Sequence, residues 1–247
     1  MKRSTLVILI VFLVLFLDQA LKIWVKTTMD YGDSFNLLGN WAQIRFVENP
    51  GMAFGIELGG QNGKLVLSLF RIVAVGVLAY YLTVLIKAKA NRGLLLSFAL
   101  ILAGALGNIL DSAFYGFLFD KGMTYNADLK NWVSYRGQAQ LNFEGYAPFL
   151  MGSVVDMLYF PMIDTRYPEW FPYFGGKPLQ FFRPIFNLAD SAITVGVLNI
   201  ILFQRSFFSQ KSEEENIKPA ASEAELAAEQ EEIETPLDRL DDQERAA

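Results

Sequence analysis

The sequence contains no cysteine and no histidine. The absence of cysteine excludes disulfides and a thiol nucleophile, and the absence of histidine excludes a Ser-His-Asp triad and His-based metal sites. Any acid–base chemistry must therefore use Asp, Glu, Lys or Tyr side chains. We expect a site without a metal and without a cofactor.

Charged residues are also few, at 19% of 247, whereas apolar residues make up 53% and the mean hydropathy is +0.28. This composition indicates an integral membrane protein. The net charge of −5 describes mainly residues 212–247, which hold 13 of the 26 acids and three bases. We predict that this tail is disordered and cytoplasmic, and we expect no nucleic-acid partner.

Four apolar segments have about the 20 residues that a bilayer requires, at about residues 5–25, 65–86, 94–114 and 186–208. The start of the first one, Leu6 to Leu17, resembles the apolar region of a signal peptide. No small-x-small cleavage site follows it, and the apolar pattern continues past Lys22. We interpret the segment as an uncleaved span.

Basic residues lie in three short segments, at residues 2–3, 87–92 and 205–211, which four spans place on one side of the membrane. The positive-inside rule predicts that this side, with both termini, is cytoplasmic. Residues 27–64 and 115–185 then lie outside.

Alternating apolar residues from Trp41 to Val47 predict a strand in the first outer segment, and the second is aromatic enough to lie along the membrane surface. The predicted fold is a mainly α membrane domain, residues 1–211, with four transmembrane helices, a small extracytoplasmic β-sheet and an interfacial segment.

Three aspartates, Asp111, Asp156 and Asp190, lie in very apolar sequence, where a carboxylate usually marks function. Asp111 follows Asn108 by three residues and Asp190 follows Asn187 by three, so each pair shares a helix face. Asp111 lies roughly 28 Å up the third span and Asp190 about one turn into the fourth from outside. The two pairs are therefore predicted to converge at one depth.

The apolar run around Asp156 allows this residue to reach the outer interface and meet Asp190. Two carboxyls held together at low dielectric share one proton, so one can act as a base on water while the other donates a proton. Such a pair could hydrolyse an amide. Asp18 and Lys22, four residues apart on the first span, are predicted to pair in a structural or head-group-binding role.

Two other functions use the same aspartates. In a proton- or cation-coupled transporter they would line a path, but the cytoplasmic halves of the last two spans offer little polarity beyond Ser97 and Asn199. In a non-catalytic assembly factor they would only bind helices together. Taken alone, Gly104-Ala105-x-Gly107 indicates close helix packing, and Asn49-Pro50-Gly51 indicates an ordinary turn.

Together, five blocks resemble the lipoprotein signal peptidase (signal peptidase II) family, whose members are bacterial membrane aspartyl peptidases. The blocks are Asp18-Gln19-x-x-Lys22, Asn49-Pro50-Gly51-Met52-Ala53-Phe54-Gly55, Gly104-Ala105-Leu106-Gly107-Asn108-Ile109-Leu110-Asp111, Val154-Val155-Asp156 and Phe186-Asn187-Leu188-Ala189-Asp190-Ser191. They occur in the family's order and reach from the first span to the fourth.

The resemblance implies a four-helix body with a β-cradle and an interfacial helix in the cytoplasmic membrane, and cleavage of diacylglyceryl-modified prolipoproteins before the lipidated cysteine. Its catalytic dyad falls on Asp156 and Asp190. Its supporting residues fall on Asp18, Lys22, Asn49, Gly51, Asn108, Asp111 and Asn187. The expected partners are these substrates and membrane lipids, and we expect a monomer.

The sequence departs from the family's pattern at two places. Ser112 follows Asp111 where the family usually has arginine, so Asp111 needs another charge partner, for which Arg183 and Arg45 are candidates. The interval from Asp111 to Asp156 is also longer than usual by roughly 35 residues, which lie between Gly116 and Gly152. This insertion affects the expected shape of the substrate entrance.

Overall fold

The computed structural model describes residues 1–51, 60–181 and 184–204. Three long helices form its body: α1 (Arg3–Thr28), α2 (Gly60–Lys87) and α3 (Arg92–Leu110). A π-helical turn (Asp111–Tyr115) and the short α4 (Gly116–Leu118) extend α3. A fifth helix, α5 (Leu188–Phe203), follows late in the chain.

Three helices are long and apolar enough to cross a membrane: α1, α2 and the continuous stretch Arg92–Leu118, of 26, 28 and 27 residues. These confirm the first three predicted spans. Large apolar side chains such as Phe12 and Phe70 are exposed along them, as lipid-facing residues are. Helix α5 is apolar but only 16 residues long, so the fourth span stays a prediction. Its predicted end at residue 208 and the acidic tail lie outside the described residues.

Two of the predicted basic segments lie at the same end of the helix bundle. The Arg3 side chain donates a hydrogen bond to the Ala90 carbonyl, in the turn between α2 and α3 (3.2 Å). This contact brings residues 2–3 beside residues 87–92, as the predicted topology requires. Residues 205–211 lie outside the described chain.

A four-stranded antiparallel sheet lies beyond the other end of the helices, in the order β1 (Ser34–Leu38), β2 (Ala42–Asn49), β5 (Val154–Tyr159), β8 (Ile185–Phe186). In β2, Ala42, Ile44 and Phe46 are buried and Arg45 is exposed, which confirms the predicted alternation. Two separate hairpins complete the strands: β3 (Thr124–Asn126) with β4 (Asn131–Val133), and β6 (Ile163–Arg166) with β7 (Pro178–Phe181).

Strand β5 carries Asp156 and is buried over most of its length. Leu158 of β5 pairs with Phe186 of β8, and the chain enters α5 two residues later. This register places Asp156 beside the start of the helix that carries Asp190.

The described part of residues 119–187 forms strands and turns and contains no α-helix. The interfacial helix that the family resemblance implied is therefore not found in that part of the segment. Its aromatic residues include the exposed Trp170 and Tyr173, both in the loop between β6 and β7.

Two glycines allow α3 to pack closely against its neighbours, as the Gly-Ala-x-Gly pattern predicts. A Cβ on Gly104 would lie 2.2 Å from the Ala189 carbonyl oxygen, and one on Gly107 would lie 2.7 Å from Asp18 Oδ2. Each contact is shorter than any real Cβ contact. A glycine at each position is therefore required for α1 and α5 to reach the polar residues of α3.

We expect Gly104→Ala to destabilise the protein by at least about 1–3 kcal/mol, because its Cβ meets backbone, which cannot move cheaply. Gly76→Ala is the matched control, since a Cβ there, on α2, meets nothing within 4 Å. That variant should be more stable by about 0.5–1 kcal/mol, from helix propensity alone. Thermal unfolding in detergent measures both, and equal melting temperatures would contradict the packing argument.

Candidate active site

Asn187 and Asp190 form a reciprocal cap at the start of α5. The Asp190 backbone N–H donates to Asn187 Oδ1 (2.9 Å), and the Asn187 backbone N–H donates to Asp190 Oδ2 (3.4 Å). This is the geometry of a capping box, in which residues three apart satisfy each other's free backbone donors. The Asn-x-x-Asp spacing thus both begins the helix and fixes the Asp190 carboxylate.

The same asparagine also holds Asp156. Its side-chain amide donates to Asp156 Oδ1 (2.7 Å) and lies 3.1 Å from Asn108 Oδ1. The Asn108 amide in turn donates to Asp190 Oδ1 (2.7 Å). Two amides, one from α3 and one at the start of α5, thus orient the two carboxylates, and the predicted convergence of Asp190 with Asn108 and Asp156 is found in the structure.

A buried ammonium group lies behind this pair. Lys22 Nζ is 2.9 Å from Asp18 Oδ2, 2.8 Å from Asp111 Oδ2 and 3.1 Å from Asn108 Oδ1. The side chains of Lys22, Asp18 and Asp111 are all 0% exposed. The three contacts satisfy the three donors of the ammonium group, so the predicted Asp18–Lys22 pair is part of a larger network.

The two outer members of this network hold the backbone next to each carboxylate of the pair. Asp18 Oδ1 accepts the Ala189 backbone N–H (2.9 Å), one residue before Asp190. Asp111 Oδ2 accepts the Val155 N–H (3.2 Å), one residue before Asp156. Lys22 therefore links the strand that carries one carboxylate to the helix that carries the other.

The two carboxylates differ in their surroundings. Asp156 is only 6% exposed, and burial, then the neighbouring Asp190 carboxylate, raise its pKa well above the usual value. The Lys22 charge and the Asn187 hydrogen bond act in the opposite direction but are weaker. Asp190 is half-buried, in the first turn of a helix, where the backbone dipoles favour negative charge.

Asp156 Oδ2 accepts no hydrogen bond from the described residues, whereas Oδ1 is held by Asn187. No fully buried side-chain oxygen among those residues lacks a partner, so Oδ2 reaches an accessible surface. One oxygen of this carboxyl is thus positioned and the other is available to water or a substrate.

The expected charge partners of Asp111 were wrong where they can be checked. Lys22 contacts Asp111 directly, whereas Arg45 is exposed and lies over the Tyr159 ring, 5.7 Å from its centre. Arg183 lies outside the described residues. A lysine one helix away thus partners Asp111, and Ser112 turns its hydroxyl back to the Asn108 carbonyl (3.0 Å).

Gln19, which follows Asp18 on α1, connects α1 to the end of α3. Its amide donates to Asp111 Oδ1 (2.8 Å), and its side-chain oxygen accepts from the Tyr115 hydroxyl (3.1 Å). Tyr115 belongs to the π-helical turn that begins at Asp111. A π-turn widens the helix and is common at functional sites, and Gln19 braces this one.

Asn49 and Gly51 lie at the end of β2, next to the same strand that carries Asp156. Asn49 pairs with Val154 across the sheet, and its side chain accepts the Gly51 N–H (2.9 Å). Gly51 has a φ of +117°, and a Cβ there would lie 3.4 Å from Lys64. This is the predicted turn. The rest of its motif, residues 52–59, lies outside the described residues.

A second buried ion pair, Lys26 with Glu48, fixes the insertion to the sheet. The Lys26 ammonium group lies between the rings of Phe119, Tyr135 and Tyr146, 5.1–5.3 Å from each centre. Glu48 accepts the Tyr135 hydroxyl (2.8 Å). Burial and the Glu48 charge raise the pKa of both tyrosines, which keeps their hydroxyls protonated.

The insertion also binds the residue just before the strand of Asp156, because the Tyr146 hydroxyl accepts the Ser153 N–H (2.8 Å). Lys26 repeats the four-residue spacing of Asp18 and Lys22 on one helix face. This spacing could have predicted that Lys26 is buried and paired like Lys22, but the sequence-based prediction did not include Lys26.

Two adjacent carboxyls, one buried and one half-buried, are oriented by amides at the end of a bundle of membrane-length helices. This arrangement agrees with a membrane peptidase of aspartic type. The chain belongs to the signal peptidase (SPase) II family, whose sequence model matches residues 10–207. Membership of this family also makes it a protein of the bacterial inner membrane.

Curated relatives carry the name lipoprotein signal peptidase. The one from Porphyromonas gingivalis (strain ATCC 33277) is 44% identical over 204 residues, which cover 81% of this chain and 83% of the relative. One from Amoebophilus asiaticus is 36% identical, with 81% and 78% covered, and one from Staphylococcus aureus (strain JH9) is 30% identical, with 86% and 94% covered.

Two solved structures share the fold, and both are described as bacterial membrane enzymes studied by the in meso method. The first, at 2.3 Å resolution, has a TM-score of 0.51 and 26% identity, and the match covers 84% of this chain and 92% of the other. The second, at 1.9 Å, has a TM-score of 0.50 and 28% identity, with 80% and 91% covered.

We expect Lys22→Met to destabilise the protein by about 3–5 kcal/mol, because it leaves Asp18 and Asp111 buried without their shared cation. Lys87→Met, at the exposed end of α2, is the control and should change stability by less than about 0.5 kcal/mol. Thermal unfolding compares them. A Lys22 variant as stable as the control would show that the network does not hold the site together.

We expect Asp156→Asn to raise the melting temperature above pH 7. The folded protein keeps the Asp156 proton that the unfolded chain has lost, so wild-type stability falls as the pH rises from the unfolded pKa to the raised folded pKa. Each unit of separation is about 1.4 kcal/mol.

Asn can still accept the Asn187 hydrogen bond but has no proton to lose. The gain should therefore shrink toward pH 4, near the pKa of the unfolded chain. A pH-independent difference between the melting temperatures of the two proteins would contradict this linkage.

Proposed function

We propose that Asp156 and Asp190 are the catalytic dyad with which this chain removes signal peptides from diacylglyceryl-modified prolipoproteins, cutting before the lipidated cysteine. The single observation that carries the assignment is Asn187, which binds both carboxylates, one through its side chain and one through its backbone. Family membership supports the reaction.

The proposed reaction is direct attack by water. One carboxylate of the dyad takes a proton from water as it attacks the scissile carbonyl, and the protonated partner donates a hydrogen bond to the carbonyl oxygen. The tetrahedral intermediate then collapses as the amine leaves with a proton from the dyad. Because the two carboxyls interact, they titrate as a pair.

The supporting residues are proposed to position the dyad. Asn108 and Asn187 orient the carboxylates, while Asp18, Lys22 and Asp111 hold the two elements that carry them. A displacement of about 1 Å at a reacting group can cost a hundredfold in rate, so such bracing matters for activity. Asn49 and Gly51 are proposed to contact the substrate from the end of β2.

The dyad is proposed to lie at the outer leaflet, with both termini in the cytoplasm and α5 continuing as a fourth span. Supporting this, residues 2–3 and 87–92 lie together at the end of the bundle away from the sheet. The substrate would enter sideways, with acyl chains against the apolar helix faces. We further propose that a monomer acts, and that residues 1–211 form its catalytic domain.

The transporter alternative has no support. Ser97 and Asn199, the polar residues of the inner halves, bind each other (2.7 Å), so they act as a link between α3 and α5 rather than as part of a path. The assembly-factor alternative would leave precursor cleavage independent of the dyad.

We expect Asp156→Asn and Asp190→Asn each to lower cleavage at least about 10³-fold, because removing one carboxyl removes either the base or the acid. The measurement is mass spectrometry of a diacylglyceryl-modified precursor incubated with enzyme in liposomes. Asp128→Asn, exposed in the β3–β4 turn, is the control and should cleave normally. Chelators should have no effect. Full activity in either dyad variant would refute the assignment.

A further inference from the structure

Arg71 is a half-buried arginine in the middle of the apolar helix α2, eleven residues from its start. A charged residue inside a membrane span is costly and by default points to function. Among the described residues its guanidinium group has no hydrogen-bond or ion-pair partner. Its presence therefore needs an explanation beyond packing.

The face of α2 that carries Arg71 is turned toward the site. Residues at i, i+4 and i+7 share a helix face, so Arg71 lies below Lys64 and Ser68. Both of these are buried: Lys64 reaches Ser153 Oγ (3.4 Å), and Ser68 donates to the Leu150 carbonyl (3.0 Å). Ser153 and Leu150 belong to the segment that enters β5. Helix side chains tilt toward the N-terminus, which directs the guanidinium group back toward that level.

The acidic groups around the proposed dyad outnumber the basic ones, so a further cation nearby would be electrostatically favourable. Lys22 is the one cation that contacts both Asp18 and Asp111, so it is shared between two carboxyls. A dyad with one proton adds a negative charge. Among the described residues, Asp190, Asp156 and Asp111 are the carboxylates within electrostatic range of Arg71.

We propose that Arg71 is a positioning residue that stabilises ionised Asp190, so that Asp190 is the base that activates water and Asp156 carries the shared proton as the acid. This inference rests on the proposed dyad. The first turn of α5, the Asn108 amide and Arg71 all favour negative charge on Asp190. Burial disfavours it on Asp156, whose raised pKa agrees with the same division.

The test is the pH profile of kcat/KM for precursor cleavage by the full-length enzyme in liposomes. The acidic limb reports ionisation of the base and the alkaline limb reports loss of the proton from the acid. In Arg71→Gln, loss of the nearby cation should move the acidic limb up by about one pH unit, with a smaller shift of the alkaline limb. At pH values below the acidic limb, kcat/KM of Arg71→Gln should then be about tenfold lower than that of the wild type.

Two further variants separate charge from structure. Arg71→Lys keeps the charge and should leave the acidic limb within about 0.3 unit, even where Arg71→Gln does not fold. Lys64→Gln changes a buried lysine on the same face, whose ammonium group reaches Ser153 rather than a dyad carboxyl, and should leave the limb unmoved. A displaced limb in Arg71→Lys would overturn the proposal.

Two outcomes with Arg71→Gln would also overturn it: unmoved limbs, or an alkaline limb that moves more than the acidic one. If Asp156→Asn and Asp190→Asn are inactive at the same time, only the Arg71 inference fails. Active Asp→Asn variants would instead refute the dyad, whatever the Arg71 profile shows.

Discussion

One buried ammonium group, that of Lys22, connects every element of the site. It binds Asp18 on its own helix and Asp111 at the end of α3, and those two carboxylates hold the backbone beside Asp190 and Asp156. A lysine and two carboxyls removed from water are tolerated only when each group is paired and hydrogen-bonded, which demands one arrangement of helix, strand and helix. The need to pair these buried groups therefore fixes the positions of the elements that carry Asp156 and Asp190.

The two carboxyls of the proposed dyad lie next to this network and differ in their surroundings. Two chemically identical carboxyls are given different surroundings, one enclosed in a buried strand and one half-buried at a helix start, so they differ in how easily they carry charge. Asn187 connects the two carboxyls, because it caps the helix that carries Asp190 and its side chain also binds Asp156. The same residue therefore caps the helix and orients both carboxyls of the proposed dyad.

The insertion between Gly116 and Gly152 is joined to this framework. Lys26 and Glu48 place a second buried ion pair among its aromatic rings, and Tyr146 binds the backbone three residues before Asp156. These contacts hold the insertion against the framework of the site.

The sequence by itself determined the membrane class, the first three spans, the strand at β2 and the aspartates, because hydrocarbon runs, alternation and carboxylates in apolar sequence are local signals. The family resemblance assigned the dyad to Asp156 and Asp190 and a supporting role to Asp111. Contacts between side chains that are distant in the sequence could not be predicted from such local signals. Lys22 rather than Arg45 contacts Asp111, and Gln19 binds both ends of the π-turn. Only the tertiary structure decided these, because a buried charge is neutralised by whichever group packing brings within a few ångströms, and sequence separation does not report that distance.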